Sequence, residues 1–331
     1  MTQTDPAPPT TLSVARMTLR PATLDDADLD ARVGTALFPD EPQDPVITRH
    51  WWSLDEPDWT NERWVVREGQ DEIGLAFHNH APWTKMPDRY ANVAAQLFPE
   101  VRDANRLAAL FDFVEQRAWR DGAKTLFSDA REDDPWLQRF LQDRTYAEKR
   151  RMRSWELDLA ENRGRLFAMR DASRARMREH DIRILTFGED RDPEKIRKIH
   201  DMNWEAEQDV PTTVPHVPYP LSITERWLAS PALRPDRIWL ARAGEDIVGI
   251  SMLAYPPTQG NVWTDWTGTA RKVRGKGVAR ALKLETVTQA IDLGVTRVRT
   301  SNDGENAPIL HLNEDMGYRR IPGWIQYHRT R

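Results

Sequence analysis

Two glycines among basic residues form the segment of this sequence that is best suited to chemistry. Residues 271–280 read RKVRGKGVAR and directly precede a long helical pattern. The first N–H groups of an α-helix are free and carry partial positive charge, so a helix start binds anions readily. Gly275 and Gly277 let the backbone approach an anion closely, and Arg274 and Lys276 add formal charge. The segment predicts a phosphate or pyrophosphate site; the alternative is a solvated basic turn.

Several other chemistries are excluded by residues that the sequence lacks or spaces differently. The segment is neither a P-loop nor the dinucleotide fingerprint, whose third glycine is missing, and no G-x-S-x-G element is present. There are no cysteines, hence no disulfide, thiolate nucleophile or thiolate metal ligand. The eight histidines are scattered, and His78 with His80 is too short a pair, without further ligands, to indicate a metal. The sequence therefore predicts no metal site.

Composition bounds the class of protein and its partners. With 331 residues, 39% of them hydrophobic and 30% charged, the chain is expected to be soluble and globular, with about two domains. The net charge of −5 argues against a nucleic-acid partner, and no apolar run approaches the ~20 residues of a membrane span. Residues 1–16 lack the basic start and apolar core of a secretory signal and are expected to form a flexible tail. A cytoplasmic location is expected, and the sequence does not indicate an oligomeric state.

The elements that would position the glycine segment occur twice along the chain. Residues 17–31 read as strand, turn and acidic helix start, and residues 182–200 repeat this order. Residues 62–77 and 237–252 each read as two strands joined by a turn, with Ile-Gly or Val-Gly opening the second strand. The sequence therefore predicts two copies of one unit.

The repeat continues with a nearly constant offset. Amphipathic helices are predicted near 104–120 and near 277–293, and a glycine and a short strand follow each. The charged segment 160–181 connects the copies and is itself predicted to be helical. Hairpins imply antiparallel pairing and the later helix implies one parallel crossover, so we expect an α/β (α+β) fold. Each copy is a mixed, mostly antiparallel sheet flanked by helices. The predicted organisation is a tail at 1–16, a first domain at 17–159, a linker at 160–181 and a second domain at 182–331.

The second copy resembles a known family at two motifs. Residues 267–283, TGTARKVRGKGVARALK, resemble the acetyl-CoA-binding motif of the GCN5-related N-acetyltransferases (GNAT), Q/R-x-x-G-x-G/A, with Arg274, Gly277 and Ala279 at its fixed positions. Residues 302–318, NDGENAPILHLNEDMGY, resemble the family's next motif, and the order of elements agrees over 182–331. The two-copy arrangement also looks similar to mycothiol synthase-like tandem proteins.

This resemblance implies acetyl-CoA as co-substrate and assigns residues to it. The strand carrying Thr267 and Thr269 would splay from its neighbour and pair with the pantetheine arm. Asn306 would contact the cofactor near the pantetheine; the alternative is a helix N-cap. Backbone amides would hold the pyrophosphate at Gly275, Lys276, Gly277, Val278 and Ala279, beside the Arg274 side chain.

The first copy departs from the family's pattern. The positions matching Arg274, Gly275, Gly277 and Ala279 carry, in that order, Arg102, Asp103, Asn105 and Leu107. Both glycines are absent, and the carboxylate at 103 would repel a pyrophosphate. The first domain is therefore predicted to be a degenerate GNAT-like domain without cofactor binding.

Acetyl transfer to an amine needs a base, and Asp265 is the candidate. It lies in VWTDWTG, where alternation would put Trp263, Asp265 and Thr267 on one face of a strand. A carboxylate among tryptophans is expected to have a raised pKa. The alternative is a structural carboxylate.

The position of the acid departs from the family's pattern. Many members of the family place a Tyr in the last helix as the acid that protonates the leaving thiolate, and alignment puts Asn313 at that position. Asn cannot act as an acid, although it could hydrogen-bond the sulfur or the amide of the cofactor. Tyr318 is expected to pack in the core.

The resemblance implies that the end of the first helix of the second copy, which carries acidic residues, borders the acceptor site. Glu205, Glu207 and Asp209 would attract a cationic amine, with a solvated face as the alternative. The proline-rich loop 210–220 could line the acceptor pocket, although its histidine is more simply incidental.

The resemblance, together with these residues, implies an N-acetyltransferase that moves acetyl from acetyl-CoA to a primary amine of a small molecule, by direct attack in the second domain. The likeness to the tandem proteins would imply an amine of an amino-sugar or cysteine conjugate. Two alternatives remain: a non-catalytic acyl-CoA-binding or sensor protein, and an acetyltransferase of protein N-termini or lysines.

Overall fold

The computed structural model describes residues 12–14, 16–56 and 58–331, with the side chains of 12–14 left out. Most of the expected tail at 1–16 therefore lies outside the described residues. No helix in the described ranges is long and apolar enough to cross a membrane. The chain divides into two compact units.

The first copy runs from a strand at the start of the described chain to a long strand before the connector. Its elements are β1 (Leu12–Val14), β2 (Met17–Pro21), α1 (Ala27–Leu37), α2 (Pro45–Trp52), β3 (Thr60–Glu68), β4 (Asp71–His80), β5 (Tyr90–Leu97), α3 (Ala104–Arg120), β6 (Thr125–Arg131), α4 (Pro135–Asp143) and β7 (Ala147–Asp158). The predicted helix near 104–120 is confirmed.

The connector is a helix, and the second copy repeats the order of the first. The elements are α5 (Leu159–Glu179), β8 (Arg183–Thr186), α6 (Lys195–Glu207), α7 (Leu221–Leu228), β9 (Ile238–Ala243), β10 (Asp246–Ala254), β11 (Val262–Thr269), α8 (Val278–Asp292), β12 (Arg297–Asp303), α9 (Ala307–Met316) and β13 (Arg319–Thr330). From β2 to β7 and from β8 to β13 the order of helices and strands is the same, so the duplication is confirmed.

Each unit contains a mixed sheet. In the first unit the strands lie in the order β1-β2-β3-β4-β5-β6, and in the second in the order β7-β12-β11-β10-β9-β8. Neighbours are antiparallel except β5 with β6 and β11 with β12, which are parallel. The predicted fold class is confirmed.

The compact units do not coincide with the two copies in sequence. Strand β7 ends the first copy, yet from Glu148 onward it belongs to the second unit, where it pairs antiparallel with β12 from Arg297↔Asp158 to Asp303↔Met152. Residues 327–331, at the end of β13, belong to the first unit.

The core of the second unit fixes the start of α8 against the sheet. Val278 and Leu282 are buried among β9, β10 and α6 side chains such as Leu240, Ile250 and Ile199. A Cβ added at Gly249 on β10 would meet Leu282 and Val278 at 2.9 and 3.0 Å, so the helix approaches this strand closely because position 249 has no side chain. This packing places the N-terminus of α8 at the end of β11.

Candidate active site

The segment before α8 forms an open loop whose two glycines have left-handed backbone conformations. Gly275 has φ +74° and Gly277, the N-cap of α8, has φ +90°. Residues other than glycine adopt such angles only with strain. No side chain of the described residues caps this helix.

The backbone N–H groups at this helix start are free. Lys276 N–H donates to the Val273 carbonyl at 3.3 Å, whereas no acceptor within the described residues takes the N–H groups of Gly275, Gly277, Val278, Ala279 and Arg280. Free N–H groups and the helix dipole together favour an anion at this place.

Carboxylates neutralise most of the basic side chains around the loop. Asp209, after α6, accepts from Arg271 Nε at 2.7 Å and from Arg274 Nη1 at 2.5 Å, and these two guanidinium groups hold the pKa of Asp209 well below its usual range. Glu205 accepts the backbone N–H of Arg271 at 2.6 Å. Glu205 and Asp209, two of the three acidic residues predicted to attract an amine, thus form hydrogen bonds with the loop before α8. Lys276 has no ion-pair partner among the described residues.

One basic residue near the loop was missed by the sequence analysis. Arg176, on the connector helix α5, donates from Nη2 to the Gly275 carbonyl at 3.1 Å, and its guanidinium lies 3.6–3.7 Å from the position of a Cβ at Gly277. It lies about a hundred residues before the glycines, and nothing in the local pattern of the connector signals this contact.

The strand that leads into the loop separates from its parallel neighbour. Pairing of β11 with β12 is confined to Val262↔Val298 and Trp263↔Arg299, although both strands continue for several residues. On the other side, β11 stays paired with β10 as far as Thr269↔Gly249. The edge of β11 from about 264 to 269 therefore leaves backbone groups available to an extended ligand.

Asp265 is the extra residue of a β-bulge in β11. Met252 pairs with Trp266 and the next residue of β10, Leu253, pairs with Thr264, so nothing on β10 faces Asp265. The bulge reverses the alternation, which places Trp263 and Thr267 on opposite faces. The prediction that Trp263, Asp265 and Thr267 share one face is therefore wrong. Thr267 instead shares a hydrogen bond of 2.8 Å with Ser251.

The environment of Asp265 changes its acidity. Its Oδ2 accepts from Trp227 Nε1 of α7 at 2.8 Å. Burial raises the pKa of Asp265 to about 6, and the bond from Trp227, which favours the charged form, opposes that rise. A carboxyl group with this pKa is a carboxylate at neutral pH and can accept a proton.

The asparagines of the second motif lie around the start and the core of α9. Asn306 is the N-cap residue by backbone position, but its side chain makes no cap hydrogen bond. Asn313 is fully buried; its Nδ2 donates to Asn302 Oδ1 at 2.7 Å, and its Oδ1 has no partner within the described chain. Tyr318 is buried, as predicted for a core residue.

The loop after α6 is tied to that helix. Tyr219 donates to Glu207 at 2.7 Å, and burial raises the pKa of both groups. His216 Nε2 lies 3.4 Å from the Val210 carbonyl. Thr212 and Thr213 of this loop line a cleft of about 570 Å³ in the second unit.

The cleft is lined by charged residues of both signs. Asp303 at the end of β12 accepts from Arg150 Nε at 2.6 Å, and Arg150 also donates to the Pro211 carbonyl. Lys149, Arg153 and Glu305 also line the cleft and have no ion-pair partner within the described residues. The cleft suits a small polar molecule.

The matching helix start in the first unit is closed by the protein's own carboxylate. Asp103 is the N-cap of α3, and its Oδ1 accepts from the N–H groups of Asn105 and Arg106 at 2.9 Å each. These bonds hold the pKa of Asp103 below its usual value. The N–H groups that are free in α8 are thus already satisfied in α3.

Comparisons with known proteins agree with this geometry. Residues 196–318 match the model of the acetyltransferase (GNAT) family. A tandem GNAT protein from the clavulanic acid biosynthesis pathway aligns over 95% of this chain and 98% of its own, with a TM-score of 0.70 and 16% identity. A GCN5-related N-acetyltransferase from Sphaerobacter thermophilus aligns over 96% of both chains, with a TM-score of 0.63 and 20% identity. The chain matches no curated protein. At these identities the solved structures share the fold.

Proposed function

We propose that this chain, a tandem GNAT-type protein, moves acetyl from acetyl-CoA to a primary amine of a small molecule at a site in its second unit. The observation that carries the proposal is the uncapped start of α8, where Gly275 and Gly277 leave a row of free N–H groups next to the separated strand β11. The first unit, whose corresponding helix is capped by Asp103, is proposed to bind no acetyl-CoA.

The residues present fit the cofactor. The free N–H groups of Gly275, Gly277, Val278 and Ala279 would hold the pyrophosphate, with Arg274, Lys276 and Arg176 adding positive charge. The edge of β11 around Thr267 and Thr269 would pair with the pantetheine, and Asn306 would contact it near α9. Bound acetyl-CoA supplies an activated acyl group.

Asp265 is the proposed base. Above pH 6 its carboxylate takes a proton from the incoming ammonium, which leaves the free amine as nucleophile. Trp227 fixes the carboxylate by hydrogen bonding. Glu205 acts by positioning the Arg271 end of the loop and not by contact with the reacting atoms. Asn313 would hydrogen-bond the cofactor, since it cannot donate a proton as an acid.

The cleft lined by 148–151, 153, 211–213 and 303–305 is the proposed acceptor site. Lys149 and Arg153 offer positive charge and Glu305 offers negative charge, so a small acceptor that carries an amine together with an anionic group fits best. The predicted partners, a small-molecule amine and neither nucleic acid nor membrane, are retained in this proposal.

A second candidate is an acyl-CoA-binding protein without turnover. Asn313 favours it, because this position holds the acid in many members of the family and here the side chain is buried and bonded to Asn302. This candidate binds acyl-CoA at the same helix start and differs only in lacking the transfer step.

Calorimetric titration with acetyl-CoA, followed by release of the CoA thiol with a panel of amines, tests both candidates. We expect one site per chain and thiol release that depends on the amine. Binding without release for any amine would favour the second candidate, and absence of binding would overturn both. Two sites per chain would contradict the assignment of the first unit.

A further inference from the structure

Three polar side chains converge in the first unit, away from the α3 start already described. His78 and His80 lie at i and i+2 near the end of β4, and Asp121 is the C-cap of α3. One ring nitrogen of each histidine and one oxygen of Asp121 all lie within 4.8 Å of one another. The sequence predicts no metal here because the two histidines lack a third ligand; the fold supplies one from 41 residues further on.

The hydrogen bonds of His80 leave an electron pair facing a carboxylate. Its Nδ1 lies 2.8 Å from the Ala81 carbonyl, which can only accept, so Nδ1 carries the proton. In the neutral ring Nε2 then has a lone pair, yet it lies 2.6 Å from Asp121 Oδ2. Two acceptors do not stay this close unless a cation, a proton or a metal ion, lies between them.

His78 provides a second and independent indication. It is 1% exposed, and neither ring nitrogen makes a hydrogen bond within the described residues. Its Nδ1 lies 3.3 Å from Glu62 Oε2, and its Nε2 lies 3.9 Å from Asp121 Oδ2. Buried imidazoles normally satisfy their nitrogens, so this ring is poised for a ligand on its Nε2 side.

The groups behind the two rings match those found behind metal-ligating histidines. A histidine ligand usually donates its other N–H to a backbone carbonyl or a carboxylate. The Ala81 carbonyl takes this place for His80. For His78 the Glu62 carboxylate is the available group: its Oε2 lies 3.3 Å from Nδ1, although the two make no hydrogen bond in this structure. Glu62 also accepts from Arg117 Nε at 2.6 Å, so its own charge is balanced.

Packing fixes the orientation of the His80 ring. Trp83 stacks on it with ring centroids 3.7 Å apart and donates from Nε1 to the Asp121 carbonyl at 2.8 Å. The Asp121 side chain is 45% exposed, so solvent reaches the cluster from that side.

We propose that His78 Nε2, His80 Nε2 and Asp121 Oδ2 bind a divalent cation of borderline softness, Zn²⁺, with its fourth position open to water or another ligand. Zinc bonds of about 2.0–2.1 Å in a tetrahedron separate ligand atoms by about 3.3 Å. The present 2.6 and 3.9 Å lie on either side of that value, so zinc binding would require a rotation of the partly exposed Asp121 side chain. Two neutral imidazoles and one carboxylate leave a net charge of +1 at the ion.

The cluster is not a feature that every copy of this fold carries. At the corresponding places the second copy has Leu253, Tyr255 and Leu293, and the Arg237 guanidinium lies over the Tyr255 ring at 4.7 Å. None of these residues is a usual zinc ligand.

Zinc titration of the full chain, stripped with a chelator and desalted, tests the proposal. We expect one Zn²⁺ per chain in competition with a chromophoric chelator. Asp121→Asn should abolish stoichiometric binding, and Glu62→Gln should weaken it by about 10–100-fold. Co²⁺ in place of Zn²⁺ should give the intense visible absorption of a tetrahedral site. The matched control is His311→Ala, which removes an exposed histidine 3.6 Å from Asp315 and should leave binding unchanged.

Three results would overturn the proposal. These are no binding at stoichiometric zinc, binding that survives Asp121→Asn, and a Co²⁺ spectrum of octahedral intensity. Asp121 is partly exposed at a helix end, so Asp121→Asn should fold; its circular dichroism and thermal midpoint without metal verify this. Neither readout depends on acetyl-CoA.

Discussion

The two copies place a helix start at the same point of the same fold and use it in opposite ways. In the first copy Asp103 caps α3 with its carboxylate, whereas in the second Gly277 leaves the N–H groups of α8 free. In both copies the helix start presents backbone N–H groups and partial positive charge, which need an acceptor. The residue at the cap decides whether the protein or a ligand provides it.

The strands before these helices, β5 and β11, differ in how they pair with the preceding strand: β11 has one extra residue. Strand β5 pairs with β4 without interruption from Gly74↔Leu97 to Asn79↔Asn92, whereas β11 contains a bulge against β10. The extra residue is Asp265, which has no counterpart in β5. The proposed base thus arises from an insertion that also bends the strand at the site.

The largest expected effect concerns this inserted residue. Asp265→Asn should lower kcat by about 10²–10⁴-fold and leave acetyl-CoA affinity unchanged, because the amide cannot accept the proton. Since only the carboxylate acts and its pKa is about 6, the wild-type rate should rise with pH through 6 and level off above. Amine-dependent thiol release across this range measures both. A variant with the full wild-type rate would make Asp265 a structural carboxylate.

The next largest effect is expected when the start of α8 is given a carboxylate like the one that caps α3. Gly277→Asp should weaken acetyl-CoA binding by at least about 100-fold, because a carboxylate would occupy the free N–H groups as Asp103 does in α3. Calorimetry measures the loss. The matched control is Gly244→Asp, at φ +58° with nothing within 4 Å of its Cβ position, which imposes similar strain away from the site. Equal losses in both variants would remove the distinction between the copies.

A smaller effect concerns the buried face of the same helices. At the position of Phe111 in α3, α8 carries Lys283, which is fully buried and has no hydrogen-bond partner within the described part of the chain, 5.2 Å from the Tyr318 ring centroid. Burial lowers its pKa to about 8 from 10.5, so keeping it charged costs about 3 kcal/mol. Lys283→Met should raise the free energy of unfolding at pH 7 by about 2 kcal/mol.

The pH dependence gives the sign of this effect. Between about pH 8 and 10.5 the unfolded chain binds more protons at Lys283 than the folded chain, so wild-type stability gains from this group as pH rises. The advantage of Lys283→Met should therefore shrink from pH 7.5 to 9.5 in denaturant unfolding. Lys276→Met, at an exposed lysine, is the control. A constant difference would show that Lys283 has the same pKa in the folded and the unfolded chain.

The smallest effect tests the first cap. Asp103→Ala should lower the free energy of unfolding by about 1 kcal/mol, the usual cost of losing an N-cap. It should not create a second acetyl-CoA site, because the left-handed glycines are still absent. Denaturant unfolding and binding stoichiometry measure these two outcomes; a second site would show that Asp103 alone blocks the first unit.

The repeat and its helices were predictable because they depend on local patterns. The sequence predicts α3 at its observed bounds and α8 to within one residue. The bulge at Asp265 was not predicted, because an inserted residue leaves the local composition of the strand unchanged. Two contacts could not be read from local patterns, because they join side chains that are distant in sequence. They are the ion pairs of Asp209 with Arg271 and Arg274, and the contact of Asp121 with His80.

Strand β7 has a consequence for how such a protein can be divided. A genetic cut at the repeat boundary near residue 159 would leave β12 with an exposed edge from Arg297 to Asp303, where β7 now pairs. The first unit would lose residues 327–331 by the same cut. Each compact unit thus contains a segment encoded in the other copy. Sequence divergence could therefore alter the two sites freely, whereas recombination could no longer separate the halves.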